Sequence, residues 1–165
     1  MGYTTTFEGQ ITVHPPLNPT EIAYLQKFAE TRRMHRERGP YYVGAGGVAG
    51  QAREADIINY NQPDPGQPGL WCQWVPTEDG TALEWDGGEK FYNSEEWLRY
   101  VIAHFLTGNA GDFREQNESE GFTFDHRADG EIAAQGEDIE DRWWLKVEGN
   151  LVSRIDLPTD QKVMK

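Results

Sequence analysis

The sequence predicts an α+β fold: a single domain over residues 1–158, built as a mostly antiparallel β-sheet with two α-helices packed on one face, then a frayed C-terminal tail over residues 159–165. Three observations carry this prediction. Two stretches show helix-start signals followed by apolar residues at helical spacing. Runs rich in Thr, Val, Ile and aromatic residues lie before, between and after them. Asp79-Gly80, the strongest hairpin signal in the chain, joins two of those runs. A length of 165 residues suits one core.

The first run, YTTTFEGQITV over residues 3–13, reads as a strand kinked at Gly9, and His14-Pro15-Pro16 ends it. Asn18-Pro19-Thr20-Glu21 then supplies an N-cap, a proline in the first turn and a glutamate three residues after the cap. A helix is expected from Pro19 to about His35, with Ile22, Leu25, Phe28 and Ala29 on its apolar side. The five glycines of GPYYVGAGGVAGQ predict a loop, Ile57 to Tyr60 a short strand, and NQPDPGQPG a rigid turn. Asn93-Ser94-Glu95-Glu96 reads as a second capping box. The stripe Trp97, Leu98, Val101, Ile102, Phe105 and Leu106 follows it, and Gly108 is a natural stop. Residues 108–121 are polar and read as a loop; strands are expected near Phe122–Asp125, Glu131–Gln135, Asp141–Glu148 and Leu151–Leu157, the last two joined by a tight turn at Gly149-Asn150.

The stretch LWCQWVPTEDGTALEWDGGEKFY, residues 70–92, mixes aromatic surface with negative charge. Taking Asp79-Gly80 as a type I′ loop opposes Trp74 to Trp85, Val75 to Glu84 and Pro76 to Leu83. Side chains alternate faces along a strand, so Cys72, Trp74, Pro76, Leu83 and Trp85 form a core face. Trp71, Gln73, Val75, Glu84 and Asp86 form the other. That polar face is either solvated, or a ligand surface with Trp71 stacking on a ring, or a carboxylate pair of Glu84 and Asp86 that divides acid and base work.

The net charge of -13 is unevenly spread: residues 1–70 hold 7 acids and 6 bases, residues 71–165 hold 21 and 9. Such a chain should repel nucleic acid and anionic membrane, so no general nucleic-acid binding and no membrane partner are expected. No run approaches the roughly 18 apolar residues of a membrane span, and MGYTTTFEGQ lacks the features of a secretory signal. It does fit the loose myristoylation pattern at Gly2, though a strand start is the plainer reading. The single cysteine, Cys72, cannot form an internal disulfide, which favours a cytoplasmic setting.

RRMHRERG, residues 32–39, is the one basic cluster. It either complements a helix C-terminus or clamps a phosphate or carboxylate through Arg32, Arg33 or Arg36. Gly44-Ala45-Gly46-Gly47-Val48-Ala49 matches a dinucleotide fingerprint, but a helix precedes it where a strand is required, so a loop that closes over a ligand is the better functional reading. His14, His35, His104 and His126 share no metal-ligand spacing with one another or with Cys72, and neither metal nor cofactor is expected.

The segments WCQWVPTEDGT, EWDGGEKFY and GEIAAQGEDIEDRW, with FAETRRM earlier, resemble a family of small bacterial and phage-encoded proteins without assigned activity. That resemblance implies an intracellular single-domain protein, in a prophage context, and transfers no functional residue. The resulting expectation is a small acidic binding module that captures a partner protein or an anionic, nucleotide-like ligand by sequestration. Its ligand-binding residues would be Trp71, Gln73, Glu84, Asp86, Arg32, Arg33 and Arg36. Two alternatives stand beside it: a hydrolase or nucleotide-processing enzyme using Glu84 and Asp86, and an acidic protein that mimics a polyanion.

Overall fold

The computed structural model describes residues 3–44 and 55–157. Gly2, most of the glycine-rich segment after Gly44, and the tail from residue 158 lie outside them. The described chain is a single compact α+β fold. Its elements run β1 (Thr6–His14), α1 (Pro19–Glu30), β2 (Met34–Arg36), β3 (Ile57–Pro63), β4 (Trp74–Pro76), β5 (Ala82–Trp85), α2 (Ser94–Val101), α3 (Phe113–Asn117), β6 (Arg127–Gln135), β7 (Arg142–Glu148) and β8 (Leu151–Asp156). Six strands form an antiparallel sheet in the order β4-β5-β1-β6-β7-β8, and β2 and β3 form a separate pair.

The period-2 pattern decides which side of the large sheet is buried. Phe7, Ile11 and Val13 of β1, Ile132 and Ala134 of β6, and Trp143, Leu145 and Val147 of β7 point inward. They meet Leu25 and Phe28 of α1 and Trp97, Leu98 and Val101 of α2 in one core. The opposite side carries Glu8, Gln10, Glu131, Trp144 and Lys146 and faces solvent or is half-buried. Strands β1 and β6 approach unusually closely. A Cβ at Gly9 would lie 2.7 Å from the Glu131 carbonyl oxygen, and one at Gly130 would lie 2.7 Å from that of Gln10. Both glycines have positive φ, which only glycine adopts without strain.

The first capping box forms as the spacing predicts: Asn18 Oδ1 accepts from the Glu21 amide at 2.9 Å, and Glu21 Oε1 from the Asn18 amide at 2.8 Å. The helix does not run to His35, however. It ends at Glu30, with Thr31 extended and its hydroxyl donating to the Lys27 carbonyl. The chain then leaves the helix direction: the Arg33 amide donates to the Leu70 carbonyl, and Met34 begins β2. The basic cluster is thus a short strand and its approaches, not a helix terminus.

The hairpin register is the one the pattern predicts, with Trp74 opposite Trp85, Val75 opposite Glu84 and Pro76 opposite Leu83. The turn is different. Only Gly80 has positive φ, so it is not type I′. The Gly80 amide donates to the Thr77 carbonyl, and Asp79 Oδ1 accepts from the Thr77 hydroxyl and from the Thr81 hydroxyl and amide. Those three donors hold the Asp79 carboxyl below its usual range.

Three further expectations are corrected, at Asn93, over residues 108–121 and over residues 122–125. Asn93 forms no side-chain cap; it sits in the left-handed region at φ 60°. The α2 helix continues through a π-helical turn, Ile102–Leu106, before Gly108 stops it at φ 69°. The polar stretch 108–121 contains α3, because Phe113 is buried against Tyr24, Phe105 and Phe122. Residues 122–125 are not a strand: Phe124 has φ 54°, and stacks with Phe122 at an interplanar angle of 25°. The last turn matches its signal, with Gly149 and Asn150 both at positive φ.

Candidate functional site

Three segments distant in sequence enclose a cleft of about 540 Å³. The exit of α1 contributes Arg32, the proline-rich turn before β4 contributes Pro68 to Trp71, and the link from β5 to α2 contributes Lys90 and Tyr92. The walls are held by backbone. Asn93 Nδ2 donates to the Pro68 carbonyl at 2.6 Å, using the side chain that does not cap α2. Gln67 Nε2 donates to the Pro40 carbonyl and the Tyr100 hydroxyl. The Arg33 amide holds Leu70.

Arg32 is half-buried at the rim. Its Nε donates to the Tyr60 carbonyl at 3.3 Å and its guanidinium lies 5.1 Å from the Tyr60 ring centre. That bond uses one of five N–H donors. Lys90 adds a second cation, against one carboxylate from Glu89. Behind Gly69, where a Cβ would lie 3.6 Å away, the indole Nε1 of Trp97 is buried with no hydrogen-bond partner among the described residues. An unsatisfied buried donor costs roughly 1–3 kcal/mol.

The residues singled out from sequence are dispersed. Trp71, Gln73 and Arg32 line this cleft. Gln73 is largely engaged: Nε2 donates to the Glu89 carbonyl and Oε1 accepts from Trp85 Nε1, both at 3.1 Å. Asp86 lines a different cavity, of about 590 Å³, together with Glu30. Burial raises the Asp86 carboxyl, partly offset by the Gly88 amide. Glu84 lies on the outer sheet face, where Gln10 Nε2 donates to it at 3.1 Å. It does not line the cavity that Asp86 lines.

Arg33 is inside the protein, 3% exposed. Its guanidinium donates to the carbonyls of Thr31, Pro40 and Tyr42 and lies 4.1 Å over the Phe28 ring. Burial lowers its pKa to about 10. Arg36 is buried too, 3.4 Å from Asp56 and over the Tyr42 ring. Arg33 ties the exit of α1 to residues 40–42, Arg36 belongs to the β2–β3 pair, and of the three arginines only Arg32 lines the cleft. Lys90 and Tyr92 were not singled out from sequence, because nothing local marks them.

Burial pushes the Cys72 thiol up to about 12, which suits a packed thiol and not a nucleophile. Among the described residues no group of three or more His, Cys, Asp or Glu converges as metal ligands, and no helix is long and apolar enough to cross a membrane. No family model matches the chain, and neither a curated protein nor a solved structure is significantly similar to it.

Proposed function

We propose that the protein is a binding module whose cleft captures a small anionic ligand bearing a planar ring, of the nucleotide kind. One observation carries the reading. In a chain of net charge -13, the exit of α1 and the β5–α2 link bring two cations, Arg32 and Lys90, to a cleft lined by Trp71 and Tyr92. The volume lies in the usual range for small-molecule sites. Aromatic faces accept a ring, and a guanidinium with an ammonium suits a phosphate or carboxylate. A cytoplasmic setting, where such ligands are abundant, goes with this reading. Two-carboxylate catalysis has less support, since Glu84 and Asp86 face different surroundings.

The experiment is calorimetric titration with AMP, GMP and inorganic phosphate, followed also by tryptophan fluorescence. A nucleotide should bind more tightly than phosphate alone, and Arg32→Ala and Trp71→Ala should each remove that binding while the Tm stays within about 2 °C. Binding that survives both substitutions, or no binding by wild type at millimolar nucleotide, overturns the proposal.

A further inference from the structure

The two edges of the large sheet are not alike. Strand β4 has three residues, ends in Pro76 and packs against α1. Strand β8 has six, contains no proline, and is exposed along most of its length. Unprotected edges of that kind pair with other strands unless something blocks them.

Hydrogen-bond parity shows which groups β8 offers. The Leu157 amide donates to the Arg142 carbonyl at 3.0 Å. In an antiparallel ladder the residues that bond a given neighbour alternate. Ile155 and Ser153 therefore direct their backbone groups to β7, while Val152, Arg154 and Asp156 direct theirs outward. An independent contact agrees: the Val152 carbonyl is taken by Arg99 Nη2 at 3.0 Å. Among the described residues, that leaves the backbone groups of Arg154 and Asp156 as the open part of the edge.

We propose that this edge pairs with β8 of a second copy of the chain, antiparallel and about a two-fold axis. Side-chain parity restricts the register, since opposed residues must share a face. Opposing Arg154 to Arg154 of the second copy juxtaposes like charges, and opposing it to Val152 calls on a carbonyl already bonded. Opposing Arg154 to Asp156 of the second copy avoids both. It uses only open backbone groups, forms two reciprocal Arg–Asp pairs on one face, and sets Ile155 against Ile155 of the second copy on the other. There Trp144, paired with Ile155 across β7–β8, extends the apolar contact into each copy. Trp144 is 36% exposed and Ile155 47%, so both gain by being covered. The junction is small, and a weak dimer with Kd on the order of 10⁻⁴ M is expected.

Sedimentation equilibrium up to about 1 mM protein tests this, at a concentration near tenfold above that Kd. Wild type should show a monomer–dimer equilibrium. Arg154→Asp and Asp156→Arg should each weaken it by tenfold or more, roughly, through like-charge opposition. The double variant, and an equimolar mixture of the two singles, should restore it. Within one copy Arg154 Nε donates to Asp156 Oδ1 at 2.9 Å, and the two-fold register extends that exposed pair across the junction; unchanged circular dichroism checks the folding of each variant. Ile155→Cys should form an intermolecular disulfide on mild oxidation, because Cys72 is buried. A wild type monomeric at 1 mM, single variants that still dimerise, or a double variant that does not recover overturns the inference.

Discussion

The two ends of α1 make opposite use of polar side chains. At its start, Glu21 and His126 are 1% and 3% exposed and every contact is internal. His126 Nε2 lies 2.9 Å from Glu21 Oε2, Nδ1 lies 2.7 Å from the Pro15 carbonyl, and the Thr123 amide and hydroxyl donate to Glu21 Oε2. Asn18 Nδ2 reaches the Gly121 carbonyl beside them. At the helix exit, Arg32 stands at the rim of a cleft with most of its donors unpartnered among the described residues. One cluster fixes where the helix starts and clamps residues 121–126 to it. The other holds charge beside open space, as a binding site requires and a core forbids.

The contrast can be broken or sharpened by measurement. Glu21→Ala should have the largest effect. It leaves His126 buried without its carboxylate and should lower unfolding stability in urea by about 3–5 kcal/mol, with nucleotide binding intact below the transition. A loss under about 1 kcal/mol would show that the corner is not what anchors α1. Arg33→Leu strands three carbonyls and should cost about 3 kcal/mol, read the same way.

The acid–base behaviour of the corner is a finer probe. Burial disfavours both charges, but the His126 imidazole and the Asn18 and Thr123 amides bring the Glu21 pKa below its ordinary value. Burial of His126 is likewise outweighed by Glu21 and the Pro15 carbonyl, so its pKa is raised. The histidine contribution is complete below about pH 6.5 and fades as pH rises through the raised value; the glutamate contribution is complete above about pH 4.3 and fades as pH falls through the lowered one. The Tm difference between wild type and Glu21→Gln should therefore narrow from pH 6 to pH 9. A gap that stays constant across that range would mean that His126 does not titrate within it. Arg32→Ala should have the smallest effect on stability, below about 0.5 kcal/mol, while removing nucleotide binding. A larger loss would place Arg32 with Arg33, as a structural residue.

Much of the scaffold was legible from sequence because short-range chemistry decides it. The Asn18 box, the Gly149-Asn150 turn and the Trp74–Trp85 register all follow from residues within a few positions of one another. The end of α1 was not legible, since arginines favour helix and nothing local reveals that Arg33 spans three carbonyls over the Phe28 ring. The hairpin kept its register through a different turn, since Asp79 gathers three local donors that a type I′ loop would not use. The cleft was half legible. Trp71, Gln73 and Arg32 drew attention by composition, but Lys90 and Tyr92 join them only through the tertiary fold. Glu84 and Asp86 share a strand pattern without sharing a cavity.

The position of β1 also bears on how the chain assembles. It lies between β5 and β6 in the sheet yet precedes both in the chain. Ile11 must wait for Leu83, and Phe7 for Ala134. During synthesis the strand that will become the middle of the sheet emerges with neither neighbour yet made. Such long-range closure is slow, and an apolar strand left waiting is prone to the wrong partner. Gly9 and Gly130 add a local condition to that pairing, since only residues without a Cβ allow β1 and β6 to come as close as they do in the finished sheet.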